Sequence, residues 1–480
     1  VADCTVLRNG SPAGQYRILS NGSILFLRGG GSGGSVTGSV DIGGGTLAKT
    51  DDNTWTVGAA GETYVWGATN VARGTIKMGA ANVVPASSVL NIGQNDSANA
   101  TFDLNGYDQT VGGLTYILGS GGTKSITNSS ATAATLTVNN AANYTFAGPI
   151  TGNLALTKDG AGTLTLTGAN TFTGLTTVAG GTLNLNGPGS GNNDGAIKGN
   201  ITIDPGATLL MSVNNVIVNS SLLTVNGTWD MNGKSDAIGY LAGSGQVTNT
   251  GGITLDLGGG ATRDFAGGIA GGGGVNVRGN NGGAATSTQI FSGTNTYTGT
   301  TTVGNGTLLV NGSIAGSAAV SGGTLGGDGT IAGTVSVAGG AHLSPGASIG
   351  DLDTGSLTLG IGSFFDVELT PAACDRVDVT GSVSLANAIL NLSIVGDFAS
   401  YGGTEYVLID NDGYTDLVTG TFDGLPGGSV LNSLQGQFVL SYTGGDGNDV
   451  VLTAVPEPIT MGLFALAGAG LGGYLRRRRR

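Results

Sequence analysis

The sequence predicts an all-β fold, a right-handed parallel β-helix, and three observations predict it. Glycine fills 94 of 480 positions, nearly three times the usual share of ~7%, and long helices do not carry such a load. Segments such as Thr163-Leu164-Thr165-Leu166-Thr167 and Thr182-Leu183-Asn184-Leu185-Asn186 alternate apolar and polar residues, the pattern of half-buried strands. These segments recur at a short step: 19 residues from Leu164 to Leu183, 17 from Leu308 to Leu325 and 18 from Leu325 to Leu343. A chain that coils at this step lays each strand on the one before it, with Leu and Val stacked inward and Thr and Asn outward. Gly-Gly pairs such as Gly180-Gly181 and Gly322-Gly323 would form the corners. At ~4.8 Å per stacked strand the coils would build a rod on the order of 100 Å. A β-sandwich also shows turn signals at short intervals and stays open as an alternative, chiefly for the last β segment.

Charge narrows the function. The net charge is −13, and five of the 18 basic residues are Arg476 to Arg480, so the rest of the chain stands at 13 − 31 = −18. A body this acidic excludes nucleic-acid binding through phosphates. The acids are 27 Asp and four Glu, a choice that fits turns better than helices. Cys4 and Cys374 define no disulfide framework, and His342, the one histidine, makes no zinc site alone. Ser344 and Ser348 beside it lack a nucleophile-elbow pattern. The chain starts at Val1 with no apolar signal core after it, which fits a removed signal or a fragment.

Taken in order, residues 1–100 read as an N-terminal β-rich region, the early solenoid coils. Trp55, Tyr64 and Trp66 cluster there; they could stack on sugar rings, but core packing is the better reading. Residues 101–187 then recur at 228–312. Leu166–Gly187 and Phe291–Gly312 share 13 of 22 identities at an offset of 125, and TFDLNG at 101–106 answers TWDMNG at 228–233. Residues 188–227 read as connecting coils and 313–370 as further coils. Residues 371–454 read as an acidic C-terminal β module: from Asp366 to Ala454 there are 12 acids and one base, Arg376. Residues 455–480 form the tail.

The repeated stretch, GAGTLTLTGANTFTGLTTVAGGTLNLNG at 160–187 with its partner ending at Gly312, resembles the autotransporter-associated β-strand repeat of bacterial surface passengers. The resemblance implies a β-helix used for surface display or adhesion. No run of amphipathic barrel strands is found, so export by the protein's own barrel is not implied. In the tail, Val455-Pro456-Glu457-Pro458 precedes an uncharged stretch to Leu475 and then Arg476, Arg477, Arg478, Arg479 and Arg480. From 458 to 475 the tail is long enough for a short transmembrane helix, with the arginines as a basic stop on the cytoplasmic side. The order of elements resembles the PEP-CTERM sorting signal, which implies recognition and cutting by an exosortase-type membrane peptidase. The prolines hold the motif extended, as a protease cleft requires.

Little else suggests chemistry. Gly444-Gly445-Asp446-Gly447-Asn448-Asp449-Val450-Val451-Leu452 fits a calcium-binding nonapeptide once, which makes Asp446 and Asp449 weak metal candidates; one copy supplies half a cage, and a hairpin turn is the plainer reading. Asp375 and Asp378 are three apart, so an extended strand points them to opposite faces, and they read as solvated turn acids. The sequence therefore predicts a secreted, non-catalytic surface or matrix protein without a cofactor. Exosortase, envelope polysaccharide and other copies of the chain are its expected partners. The alternative is a β-helix lyase or hydrolase, which would need carboxylates and an Arg or Lys together on neighbouring coils. Between 101 and 370 the bases are Lys124, Lys158, Lys198, Lys234, Arg263 and Arg278, spread singly.

Overall fold

The computed structural model describes residues 4–7, 22–29, 33–117, 119, 121–188, 197–279, 287–398, 400–412 and 416–455. It is all-β, with no helix among the described residues, and forms a parallel β-solenoid of about 16 turns. The chain divides into two compact units, Val1–Ser317 and Ala318–Arg480.

In the first unit each coil contributes to three faces. One face runs through Tyr144–Phe146, Thr163–Leu166, Thr182–Leu185, Thr208–Met211, Thr228–Asp230, Gln246–Thr248 and Gly268–Ala270. Successive strands pair in parallel and in register, so identical inward positions stack. Leu164, Leu183, Leu209, Trp229, Val247 and Ile269 form one such column, every member fully buried. Removing such columns from water is the main driving force of the fold. The 19-residue step from Leu164 to Leu183 and the 18-residue step from Leu325 to Leu343 are both paired coil to coil. Gly181 takes the predicted corner at φ 59, and a Cβ there would stand 2.5 Å from the carbonyl oxygens of Gly160 and Gly162.

The two copies of the repeat fold alike at the corner that follows their shared hexapeptide. Asn105 and Asn232 are both left-handed, at φ 50 and 46. Each donates its backbone N–H to the aspartate two residues earlier, Asp103 or Asp230, at 2.9 Å. Each side-chain amide then donates to a methionine carbonyl one coil back, Met78 at 2.9 Å and Met211 at 3.3 Å. Asparagine tolerates this conformation because its short side chain bonds locally. The copies nevertheless sit on different faces. Thr163–Leu166 belongs to the face just described, whereas its counterpart Thr288–Phe291 pairs with Thr262–Phe265, a strand of another face. Likewise Ala100–Asp103 pairs with Gly74–Met78 and Lys124–Asn128, away from the face that holds its counterpart Thr228–Asp230. The second copy is the first turned by one face.

In the second unit parallel pairing continues through Phe364–Leu369 with Ile389–Ile394 and through Arg376–Val379 with Glu405–Asn411. Pairing then becomes antiparallel: Glu405–Asn411 with Asp449–Ala454, then Gln437–Gly444, then Val430–Asn432. Phe398, Tyr406 and Phe438 pack edge to face beneath these hairpins, with ring centroids 5.1–6.4 Å apart. The predicted transmembrane segment at 458–475 lies outside the described residues. Among those described, no helix is long and apolar enough to cross a membrane.

Candidate functional site

The outward rows of the solenoid are Thr, Ser and Asn ladders, as stacked strands of this sequence require. Thr115 bonds Asn91 and Asn91 bonds Asn70 on successive coils, and Thr151 donates to Thr127 at 3.0 Å. Trp55 and Trp66 are buried, and Tyr64 meets Trp66 edge to face at 5.9 Å, so this cluster is core.

Carboxylates and a cation meet on neighbouring coils in both units: in the first, Arg73 stands 3.0 Å from Asp52 and 3.7 Å from Asp96, and a larger group lies in the second. Asp353, Asp378 and Asp410 occupy one register on three successive strands. The Arg376 guanidinium stands 2.7 Å from Asp378, 3.5 Å from Asp351 and 3.6 Å from Asp410. Burial, then the neighbouring acids, push the Asp378 carboxyl above the usual carboxylate range against the pull of Arg376. Sequence reading missed this group because its acids lie on successive strands 25 and then 32 residues apart; only the coil step brings them together. Asp375 faces inward, opposite to Asp378, as the spacing requires. It is not solvated, as the sequence suggested: it is buried and accepts the backbone N–H of Gly350 at 3.0 Å and of Glu368 at 2.6 Å. Burial raises its carboxyl to about 6.

His342 is a strand residue with partners on the neighbouring coil. It lies on strand His342–Pro345, stacks on Phe364 at 4.5 Å, and its Nδ1 is 2.7 Å from Asp366, whose other oxygen accepts Asn391 at 2.8 Å. Ser344 lines the shallow groove beside Asp366 and Asn391.

Of the two calcium candidates, Asp449 is buried and accepts the backbone N–H of Asn411 at 2.9 Å, a use that competes with metal ligation; Asp446 is exposed in the hairpin turn. Among the described residues no three His, Cys, Asp or Glu are grouped to hold a metal. Val455 follows the last described strand, Asp449–Ala454, and donates its backbone N–H to the Gln437 carbonyl at 2.8 Å. Pro456, Glu457, Pro458 and Arg476 to Arg480 lie outside the described residues.

Three lysines that look like surface charges are interior. Lys49, Lys124 and Lys158 are at most 1% exposed. The Lys158 ammonium donates to the carbonyls of Asp159 at 2.7 Å and of Gly160 and Gly180 at 2.9 Å. Lys124 donates to the carbonyls of Asp96 and Gly121, and Lys49 to the carbonyl and carboxylate of Asp51. Each acts as a tethered cation that satisfies corner carbonyls. Burial lowers the pKa of Lys49, and that of Lys158 to about 8. Their signal was present in the sequence: in Leu154-Ala155-Leu156-Thr157-Lys158 the lysine holds an inward position.

Residues 156–185 and 286–310 match the passenger-associated-transport-repeat, and residues 454–480 match the PEP-CTERM protein-sorting motif. The chain therefore carries both features that its sequence resembles. No curated protein matches it. Among solved structures it is similar to the Haemophilus influenzae Hap adhesin, at 12% identity and a TM-score of 0.29 over 91% of this chain and 64% of that one. It is similar also to the passenger domain of plasmid encoded toxin, an autotransporter enterotoxin from enteroaggregative Escherichia coli, at 12% identity and a TM-score of 0.30 over 95% and 72%. Likenesses this distant bear on neither activity nor partner. The sorting motif and the passenger repeats indicate a cell-surface or secreted protein, and the motif implies processing by exosortase-type membrane machinery.

Proposed function

We propose that the protein is a non-catalytic surface or matrix element, a stacked β scaffold for adhesion or envelope structure that takes no cofactor and is held briefly in the inner membrane by its tail before an exosortase cuts it. The observation that carries this is the PEP-CTERM match at 454–480 behind a solenoid bearing two passenger repeats. The regular Thr/Asn ladders support it, since repeated weak contacts to envelope polysaccharide or to other copies gain strength by avidity. The acidic body keeps such scaffolds dispersed. The Arg376 group is the arrangement a polysaccharide-active enzyme would need. Its carboxylates at Asp351, Asp378 and Asp410 all engage one guanidinium, which favours a neutralising role over general acid catalysis.

Intact mass and fractionation in the native host test the proposal. The expected protein lacks the residues after 456–458 and lies in the envelope or medium. A full-length C-terminus kept in the inner membrane would overturn it.

A further inference from the structure

Among the described residues, the C-terminal end of the second unit is closed on two faces and open on the third beyond Ala388, whose carbonyl accepts the backbone N–H of Asp423 at 2.7 Å. One face continues into the antiparallel hairpins. On another, Ser384 is bridged by Thr419. The third face ends at Ile389–Ile394, the terminal strand of its sheet. Beneath it Phe365, Val367 and Leu369 are fully buried, while the residues stacked on them, Leu390, Leu392 and Ile394, remain partly exposed. Val395 follows at 61% exposure.

The backbone of this strand is aimed outward in a definite pattern. In a parallel sheet alternate residues give both N–H and C=O to the same neighbour. Ile389 and Val395 donate to Ser363 and Leu369 on the inner side, so Asn391 and Ser393 do likewise. Leu390, Leu392 and Ile394 then present their N–H and C=O groups to the open side.

Natural edges of this kind are blunted with Lys, Pro or a bulge. Here Ala388-Ile389-Leu390-Asn391-Leu392-Ser393-Ile394-Val395 has no charge, proline or glycine, the composition of a segment that pairs with its own kind.

We propose that Ile389–Ile394 is a self-pairing edge through which two copies of this chain join in antiparallel register about Leu392. That register is self-complementary: Leu392 faces its own copy, Leu390 faces Ile394 and Asn391 faces Ser393, so apolar residues meet on the core side and polar ones outside. The three outward-bonding residues are then the three hydrogen-bonded pairs. The self-complementary register selects a second copy, and charge disfavours an acidic foreign strand. Asp366 and Glu368 lie on the neighbouring strand in register with Asn391 and Ser393, so an acidic strand would be repelled, whereas this uncharged segment is not. One strand pair makes a small interface, of the transient class below about 1,200 Å², and its assembly depends on concentration. Salt strengthens it by screening the acidic bodies. The inference names the contact behind the self-association proposed above, but it holds whether or not the tail is cut, so its test and the sorting test fail separately.

The test uses the full chain in detergent. Sedimentation of the native sequence shows a monomer–dimer equilibrium that shifts to dimer with concentration and salt, and Leu392→Pro, which removes an outward N–H, weakens it at least tenfold at an unchanged far-UV spectrum. Oxidised Leu392→Cys cross-links to its own copy, because hydrogen-bonded antiparallel pairs stand about 5.5 Å apart at Cα, within disulfide reach; Tyr107→Cys, on the other unit, does not. A monomer at every concentration, or Leu392→Cys that cross-links no better than Tyr107→Cys, overturns the proposal.

Discussion

The two copies of the repeat share their corner chemistry and differ in the face they occupy. Gln109 accepts the backbone N–H groups of Val83 at 3.0 Å and Val84 at 3.2 Å. Its counterpart Asp236 accepts those of Val216 at 3.0 Å and Ile217 at 3.2 Å. Asn170 accepts from Ile150 at 2.9 Å, and its counterpart Asn295 accepts from Ile269 at 3.1 Å. Each buried amide or carboxylate reaches one coil back and none distinguishes one face from another. The unit of information is therefore strand plus corner, and the coil is close to threefold in its local rules. A feature borne by the repeat is shown on two sides of the first unit, which suits many dispersed contacts better than one docking stripe.

The sharpest way to separate the copies is pH. Gln109 has no charge to bury, whereas burial raises the Asp236 carboxyl from 3.8 to about 7, against three backbone N–H bonds. A folded pKa above the unfolded one gives stability that is complete below about pH 4 and lost as pH rises through about 7. A rise of that size corresponds to on the order of 4 kcal/mol. Urea midpoints of the native chain and Asp236→Asn, compared from pH 4 to 8, should diverge across that window, the variant lacking this downward slope. Parallel curves would show that the carboxylate is charged and satisfied at its site.

The asparagines should differ next. Asn295 also donates to the carbonyls of Gly293 and Ser313, both at 3.1 Å. The side-chain nitrogen of Asn170 has no partner among the described residues. Substitution by alanine should cost about 3 kcal/mol at 295 and about 1 kcal/mol at 170, since each orphaned buried group carries its own penalty. Equal losses in urea unfolding would mean that both sites act mainly through packing.

How far the sequence revealed this follows from what each residue reports. Leu164 and Leu183 disclosed strand, inward face and coil step together, because alternation and recurrence are local facts. The corners at Asn105 and Asn232 were visible as a shared hexapeptide. The turning of the second copy by one face was not, since it depends on how many strands lie between copies and neither hexapeptide records that. Lys158 was legible by its place among inward leucines but was read by its charge. Asp351, Arg376 and Asp410 were illegible as a group, because the step in that region lengthens to 25 and then 32 residues. Asn391 and Ser393 read as ordinary polar strand positions, and only the end of the sheet makes their strand an open edge.

The smallest difference is a single oxygen. Tyr297 and Phe172 are equivalent and fully buried. The Tyr297 hydroxyl meets the Thr301 hydroxyl at 2.6 Å, while Thr176, the counterpart of Thr301, has a buried hydroxyl with no partner among the described residues. The first copy thus keeps an unmet polar group that the second satisfies. Tyr297→Phe should cost about 1 kcal/mol, leaving Thr301 as Thr176 now stands, and Thr176→Val should be neutral or stabilising, since it removes an unmet hydroxyl in place. Combining Tyr297→Phe with Thr301→Val should recover most of the loss, the test that the pair and not the ring's packing carries the energy. If the double variant is no more stable than Tyr297→Phe alone, the hydroxyl serves the packing of that corner and the two copies differ in shape rather than in hydrogen bonding.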